Sequence, residues 1–438
     1  MFNLRREAPL SVGATRQSAG PAAGAASSLR HLGRVLALFA LVFFYAQAAA
    51  QSSVTIGVEV SHGWTAAPGN VAGLERAVKD AAGQEDWVSN VKTYLHNCSI
   101  AGSDCDTRYT PIDAQARAMS RALAAEASSG TLTNIDAFVL VGHSQGTLRN
   151  RAAVQFGYLD AALASKTIGL INAGSPGAGA PIVPNSSRFW GWVNWNANLA
   201  TAGVSNAIIN ALAVAFSEVR GALFAAEANT PSKMDMAPGS SFINRLNQVT
   251  AQQCRYVRRT VWVGWLWWRH KEYHWVRVCR RVPANNRIPG HVAVLDIAGT
   301  NNRFSSLMPG AYEVIHGLGL PASVLAAGLW SISWQIWPIP FATGWTNLSY
   351  IMLNFDNVWQ SDVVGSREGD ATVTLSTQLA LKSRKYLLED PSLYSYSKAP
   401  TTHGAEPGDA DVRKAVNDFF DTDNLRGAYK AYYKLTHP

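Results

Sequence analysis

Short apolar runs alternate along the chain with longer segments that mix small, apolar and polar residues. Four of these runs cover residues 54–60, 137–141, 167–172 and 291–299, with the sequences VTIGVEV, AFVLV, TIGLIN and HVAVLDIAG. Strands that are buried on both faces of a parallel sheet have continuous apolar sequences of this kind. Glycine, serine, histidine or asparagine follows each run, and ligands gather at the carboxyl ends of parallel strands. The pattern therefore predicts a parallel sheet with a functional site at one edge.

Helical segments lie between the apolar runs. The sequence IDAQARAMSRALAAEASSG at 112–130 follows Thr110 and Pro111 and closes on a glycine, which are typical signals for the start and end of a helix. Strands that alternate with helices in this way predict an α/β fold. We expect a mostly parallel central sheet with helices on both of its faces.

The first fifty residues have the composition of a targeting segment. Arginines precede the apolar run VLALFALVFFYA, and the small residues AQAAA follow it. This order is typical of a secretory signal peptide, with cleavage after Ala48 or Ala50. An uncleaved membrane anchor is the alternative. We expect residues 1–50 to be the signal, residues 51–438 to be the folded domain, and the protein to be secreted or periplasmic.

Composition and charge agree with an exported globular protein. Hydrophobic residues make up 47% of the 438 residues and charged residues 16%, which excludes a disordered chain. Residues 1–50 contain five arginines and one glutamate, so their removal lowers the net charge from +8 to +4. The four cysteines fall into two local pairs, Cys98 with Cys105 and Cys254 with Cys279. Closeness in sequence favours these two bridges among the three possible connectivities.

Ser144 is the strongest candidate for a catalytic nucleophile. It lies in the sequence Gly-His-Ser-Gln-Gly, directly after a predicted strand and before a predicted helix. A G-x-S-x-G motif in this context forms a sharp turn that exposes the serine hydroxyl, and the glycines let the strand and the helix approach closely. A glycine-rich turn with an incidental serine explains this spacing poorly.

A nucleophilic serine needs a base and an acid, which in this kind of fold follow in the order serine, acid, histidine. Beyond residue 316 the sequence contains two histidines, and His437 is next to the last residue. We therefore expect His403 to be the base, since it lies in a loop before an amphipathic helix. Asp370, Asp362 and Glu368 are the candidates for the acid, and Asp370 is placed first by the resemblance described below.

Two backbone N–H groups are candidates for an oxyanion hole. The first belongs to Gln145, the residue after the nucleophile, and the second to Trp64, in the loop after an early strand. An ordinary turn at His62 and Gly63 is the alternative interpretation of that loop.

Six sequence segments together resemble bacterial secreted lipases of the α/β-hydrolase superfamily. They are VSHGW, VGHSQG, INAGSPGAG, PGSSFINRLN, GDATVTLSTQLA and HGAEPGDADVRKAVNDFF. The segment that contains Asp370 is also similar to relatives of lecithin–cholesterol acyltransferase. The resemblance covers about 54–182, 237–250, 290–302 and 360–420. It implies an α/β-hydrolase fold, a Ser144–Asp370–His403 triad and chemistry on lipid esters.

Three insertions interrupt the segments that carry the resemblance. Residues 185–237 contain an apolar helical stretch that we interpret as a lid, with a core helix as the alternative. Residues 303–355 form a second apolar insertion, which either completes an acyl-chain tunnel, docks on a lipid interface or belongs to the core. Residues 252–284 alternate aromatic, β-branched and basic residues between two cysteines, which predicts a disulfide-closed β-hairpin.

The hairpin is strongly basic. Between Cys254 and Arg281 it has eight lysines and arginines and one glutamate. Such a segment suits an anionic membrane surface, single-stranded nucleic acid or, as a structural arm, the body of the protein. We expect the membrane surface and no specific nucleic acid.

These observations together predict a secreted serine lipase or carboxylesterase that acts as a monomer through an acyl-enzyme. No cysteine–histidine cluster has zinc spacing and no glycine-rich phosphate loop is present, so we expect no required cofactor. A structural calcium held by loop carboxylates stays open. The alternatives are acyl transfer to an alcohol, and a lipid- or envelope-binding protein with a vestigial triad.

Overall fold

The computed structural model describes residues 54–201, 230–248, 250–263, 270–283, 286–331 and 339–436, all of them within the unit Ser53–Pro438. The predicted signal peptide lies outside the described residues. The strands are β1 (Val54–Ser61), β2 (Val88–His96), β3 (Ala137–His143), β4 (Thr167–Ala173), β5 (Thr250–Val263), β6 (His270–Pro283), β7 (Ala293–Gly299) and β8 (Tyr394–Ala399).

The described α-helices are α1 (Ala72–Gln84), α2 (Ile112–Ser129), α3 (Gln145–Gln155), α4 (Ala161–Lys166), α5 (Ile182–Thr201), α6 (Pro231–Asp235), α7 (Ser241–Leu246), α8 (Phe304–Leu307), α9 (Pro309–Ser331), α10 (Ile339–Leu353), α11 (Phe355–Val358), α12 (Leu375–Gln378), α13 (Ala380–Ser383), α14 (Ala410–Asp421) and α15 (Asp423–Thr436). Short 3₁₀ turns lie at Pro68–Val71, Lys385–Leu387, Pro391–Leu393 and Glu406–Gly408, and a π-helical turn lies at Trp359–Val364.

Six strands form one parallel sheet in the order β2-β1-β3-β4-β7-β8. The four strands predicted from apolar runs, β1, β3, β4 and β7, are its central strands, so the prediction of an α/β fold with a parallel sheet is confirmed. The two edge strands, β2 and β8, were not predicted from the sequence. Their residues are largely exposed or half-buried, because an edge strand of this sheet needs no continuous apolar run.

Helices cover both faces of the sheet, and strand β3 shows how. Val139 and Val141 pack on one face with residues of α1 and α14, such as Leu74 and Val416. Phe138, on the alternate face, packs with residues of α2 and α3. Successive side chains of a strand point to opposite faces, so one apolar run supplies both cores.

A third hydrophobic core lies among α5, α9 and α10. It contains Phe189, Ile315, Trp345 and Ile351, all of them buried. The segments predicted as a lid and as a second apolar insertion thus pack together in their described parts, while 202–229 and 332–338 lie outside the described residues. Among the described helices, α9 alone is long and apolar enough to cross a membrane, a criterion that core helices also meet.

Strands β5 and β6 form a separate antiparallel hairpin in which Cys254 is the register partner of Cys279. The side chains of these two cysteines lie outside what the structure describes, so their bridge stays a prediction. The other predicted pair, Cys98 and Cys105, forms a disulfide.

Candidate active site

Ser144 occupies the sharp turn between β3 and α3. Its φ of 55° and ψ of −126° place a non-glycine residue in a strained region of backbone conformation. The Ser144 N–H donates a hydrogen bond to the carbonyl of Ala173 on the neighbouring strand, at 2.9 Å. The turn projects the side chain beyond the carboxyl ends of the strands, as the G-x-S-x-G motif predicts.

The glycines around Ser144 are required by close backbone contacts. A Cβ atom at Gly146 would lie 2.4 Å from the carbonyl oxygen of Ser61, and one at Gly142 would lie 2.6 Å from the nitrogen of Thr147. A Cβ atom at Gly63 would lie 2.9 Å from the Cβ of Ser144 itself. The loop after β1 therefore packs directly against the serine turn.

His403 connects the serine to a carboxylate. Its Nε2 lies 2.8 Å from Ser144 Oγ, and its Nδ1 lies 2.7 Å from Asp370 Oδ2. The His403 N–H also donates to the backbone carbonyl of Asp370, at 2.9 Å. The structure thus brings together the three residues proposed from sequence, in the geometry of a nucleophile, a base and an orienting acid.

Asp370 is held by its own turn. It is fully buried, and its Oδ1 accepts hydrogen bonds from the N–H groups of Thr372 and Val373, at 2.9 and 2.6 Å. Ala371, which lies between Asp370 and Thr372, has a φ of 69°. Its carbonyl accepts a hydrogen bond from the Trp359 indole N–H at 2.8 Å. These contacts fix the carboxylate against rotation.

The other two candidates for the acid lie elsewhere. Asp362, in the π-helical turn, and Glu368 are both exposed. Among the described residues, the carboxylates within 4.0 Å of the His403 ring belong to Asp370 and Glu406.

The candidate oxyanion donors flank the serine turn. Among the described residues, neither the Gln145 N–H nor the Trp64 N–H has a hydrogen-bond acceptor. The Gln145 N–H has no acceptor within the helix because Gln145 is the first residue of α3. Both N–H groups are therefore free to bind a developing negative charge.

The loop that carries Trp64 is supported from below. Arg149, on α3, donates to the carbonyl of His62 at 2.5 Å, and the Cys98 N–H donates to His62 Nε2 at 3.1 Å. The accepting Nε2 leaves the ring proton on Nδ1, which lies 3.0 Å from the Gly63 carbonyl. Burial and the charge of Arg149 lower the pKa of His62 to about 4, so the ring is neutral at neutral pH.

A mostly apolar cavity of about 180 Å³ opens beside the serine. It is lined by Trp64, Thr65, Ser144, Pro176, Ala180, Ile182, Val183, Lys233, Met236, Leu307, Thr372, Val373, His403 and Gly404. Its aliphatic and aromatic walls suit an apolar group bound next to the reactive hydroxyl.

Two buried side chains at the site, His143 and Glu406, were missed by the sequence analysis. His143 Nε2 lies 3.0 Å from the carbonyl oxygen of His403, and burial, together with His403, lowers the pKa of His143 to about 3. Glu406 Oε2 lies 3.2 Å from His143 Nε2 and 3.8 Å from His403 Nδ1. Each is close in sequence to a motif residue, but nothing in the sequence signals its burial beside the triad.

Two groups of side chains in the described residues could offer ligands to a metal ion. His143, His403 and Glu406 form the first, but both ring nitrogens of His403 already contact the triad. The second contains Cys98 and Cys105, whose sulfurs are joined in a disulfide. Calcium prefers six to eight oxygen ligands, so neither group suits it. The structural calcium stays a prediction.

No protein-family model matches this chain, and a search of curated proteins finds no match. The function of the protein is therefore inferred from the geometry of the site.

Proposed function

We propose that the protein is a serine ester hydrolase with an α/β-hydrolase fold. One observation carries this proposal, namely the continuous chain of contacts from Ser144 Oγ through the His403 ring to Asp370 Oδ2, at 2.8 and 2.7 Å. A surface serine without a catalytic role needs neither the strained turn nor a histidine that is oriented by a buried carboxylate.

The geometry supports a two-step reaction through an acyl-enzyme. Ser144 Oγ attacks the ester carbonyl while His403 Nε2 accepts its proton, and the N–H groups of Trp64 and Gln145 bind the oxyanion. Collapse of this intermediate expels the alcohol, which takes its proton from His403 Nε2. Water then attacks the acyl-enzyme with the same histidine as base, and the acid is released. Asp370 holds the ring and stabilises its charged form.

The apolar walls of the cavity favour an ester with an apolar acyl group. Ile182, Val183, Met236 and Leu307 belong to its aliphatic lining, and α5, which carries the first two, packs with the apolar helix α10, which in turn packs with α9. We therefore propose lipid esters as the substrate class. Acyl transfer to an alcohol uses the same intermediate, and the products formed when an alcohol is added distinguish the two reactions.

The basic hairpin supports a proposal about where the enzyme works. Residues alternate between the faces of a strand, so Tyr256, Arg258 and Trp262 share one face of the hairpin. Their register partners are Arg277, Trp275 and Lys271, and each pair joins one aromatic residue with one basic residue. We refer to these six residues, with Tyr273 and Arg281, as the aromatic–cationic face.

Described side chains of the hairpin agree with a surface role. Arg258, Arg259 and Tyr273 are exposed, and the Arg258 guanidinium lies 3.7 Å from the centroid of the Tyr273 ring. Tyrosine and tryptophan settle at membrane interfaces, and arginine is attracted to anionic lipids. We propose that this face meets an anionic lipid surface outside the cytoplasm, where the predicted signal would deliver the chain and where disulfides persist.

Turnover of p-nitrophenyl esters by residues 51–438 tests the proposed activity. We expect Ser144→Ala to lower kcat by about four to six orders of magnitude, because the covalent route is lost. Ser240→Ala is the matched control, since Ser240, like Ser144, is the residue directly before a helix, here α7, and it is absent from the cavity wall. It should keep full turnover. Equal turnover by the wild type and Ser144→Ala would contradict the proposal.

A further inference from the structure

A second carboxyl group stands inside the triad. Glu406 is fully buried, and its Oε2 lies 3.8 Å from His403 Nδ1, the nitrogen that contacts Asp370. Its Oε1 accepts a hydrogen bond from the Gly299 N–H, at 3.0 Å. The mechanism proposed above assigns no role to this group.

The surroundings leave room for the Glu406 carboxyl and for little else. A Cβ atom at Gly174 would lie 2.0 Å from Glu406 Oε2, and one at Gly299 would lie 2.5 Å from Oε1. Any larger residue at either position would displace the carboxyl. The two glycines thus make a fitted site for this group against the triad.

The charges that face Glu406 do not support a second negative charge. Asp370 and Asp409 are the acids near it, and its ion-pair partners among the described residues are two histidines, His143 and His403. His143 is neutral, because burial lowers its pKa to about 3. No lysine or arginine in the described residues forms an ion pair with Glu406. Burial and the adjacent Asp370 raise the pKa of Glu406 well above its usual value.

Asp370 has the better contacts for a carboxylate. Two backbone N–H groups donate to its Oδ1, and the His403 ring contacts its Oδ2. Glu406 has one N–H donor, at Oε1, and its carboxyl group lies within hydrogen-bond reach of the Asp370 carboxyl group. Hydrogen bonds to the charged form favour ionisation. Of the two acids, Glu406 is therefore the one that holds a proton.

We propose that Glu406 is a neutral carboxylic acid in the resting enzyme and donates a hydrogen bond to the Asp370 carboxylate, so that it positions this acid without adding a second negative charge beside His403. The inference rests on the proposed function for its catalytic meaning, but not for the protonation state of Glu406. It makes Glu406 a positioning residue that acts through Asp370.

Infrared difference spectra at pH 7 test the protonation state directly. We expect the wild-type minus Glu406→Gln spectrum to contain the carbonyl band of a protonated carboxylic acid and no net loss of carboxylate intensity. Glu368→Gln is the control, since Glu368 is exposed and its replacement should remove carboxylate bands. Loss of carboxylate bands in Glu406→Gln would overturn the proposal. This readout does not depend on whether the protein hydrolyses esters.

Kinetics on a soluble ester test the positioning role. Glutamine keeps the shape and a donor, so Glu406→Gln should retain kcat/KM within about threefold and leave the acid limb of the pH–rate profile in place. Glu406→Ala removes the donor, and we expect kcat to fall about tenfold to a hundredfold, with KM little changed, as for other lost supporting contacts. A kcat that is retained in Glu406→Gln but lost in Glu406→Ala would show that this position needs a hydrogen-bond donor and not a negative charge.

A displaced pH profile would contradict this role. If Glu406 were ionised, Glu406→Gln would remove a negative charge 3.8 Å from the base, and the acid limb would move to lower pH by about one pH unit or more. That result would overturn the proposal. Absence of turnover in the wild type would instead refute the proposed function, and the infrared spectra would still decide the state of Glu406.

Discussion

Around Ser144, the polar side chains are buried or half-buried, and their contacts join segments far apart in the sequence. The contact from Ser144 to His403 spans 259 residues, and the next, from His403 to Asp370, spans 33. In the hairpin, by contrast, two successive strands pair with each other, and the described basic side chains Arg258 and Arg259 are exposed. The first region fixes the relative positions of a few atoms, whereas the second exposes charged side chains to solvent.

This difference determines how each region should respond to mutation. In the buried site, one atom decides whether the histidine is oriented, so a single substitution should cost most of the activity. On the hairpin, each charge acts nearly independently through solvent, so the losses should be graded and dependent on salt. The predictions below test this contrast, beginning with the largest expected effect.

The largest effect is expected at the acid. Asp370→Asn keeps the size of the side chain but removes the charge that orients His403, and kcat should fall on the order of 10⁴. Asp362→Asn, at an exposed position eight residues earlier, should retain kcat within about twofold. Initial rates on a soluble p-nitrophenyl ester measure both. The reverse order of the two losses would move the acid to Asp362.

The hairpin should show a smaller and purely interfacial effect. Each basic residue near an anionic surface contributes about 1 kcal/mol, so changing the four basic residues of the aromatic–cationic face to glutamine should weaken binding to acidic lipid vesicles about 10³-fold. These residues are Arg258, Lys271, Arg277 and Arg281. Turnover of a soluble ester should stay within about twofold, and added salt should weaken wild-type binding.

The opposite face of the hairpin supplies a matched control. Register places Arg255, Arg259 and Arg280 on that face, and their change to glutamine should weaken vesicle binding less than tenfold. Equal losses for the two faces would mean that charge alone matters, not the aromatic–cationic face. Weaker binding of either variant than of the wild type to single-stranded DNA, with unchanged vesicle binding, would favour a nucleic-acid surface instead.

A pH-dependent contribution to stability is expected from Glu59, a fully buried residue of β1 whose Oε1 accepts a hydrogen bond from Ser61 Oγ at 2.5 Å. Burial raises the pKa of Glu59 from 4.5 to about 7. The folded state therefore binds this proton more tightly than the unfolded state, so the stabilisation is full below pH 4.5 and is lost as pH rises towards 7. Linkage gives a loss of about 3 kcal/mol in the free energy of unfolding.

Urea denaturation at a series of pH values measures this contribution. Wild-type stability relative to Glu59→Gln should decline between pH 4.5 and 7 and level off above it, since glutamine does not titrate. A constant difference between the two proteins over this range would contradict the prediction.

The sequence predicted those parts of the molecule that depend on local patterns. The central strands have continuous apolar runs because both of their faces are buried, and the glycines of the serine turn stand within a five-residue motif, although Gly146 also permits the close approach of Ser61. The edge strands β2 and β8 lack that signal because one side of each faces solvent.

The rest of the site depends on contacts that no local pattern encodes. In the sequence, Asp370 is favoured over Asp362 by a resemblance, and in the structure burial against His403 distinguishes the two. Glu406 follows His403 by three residues, but its meaning depends on Gly174 and Gly299, more than a hundred residues away. Such groups can be recognised only when the fold brings them together.

Labelling by a fluorophosphonate tests the central claim most directly, because the reagent reacts with an activated serine and needs no knowledge of the natural substrate. We predict that one equivalent adds to the wild-type protein, that mass spectrometry of the digest places it on Ser144, and that Ser144→Ala and His403→Ala both abolish it. Reaction at another serine, or labelling of Ser144 that is unchanged when His403 is removed, would contradict the account.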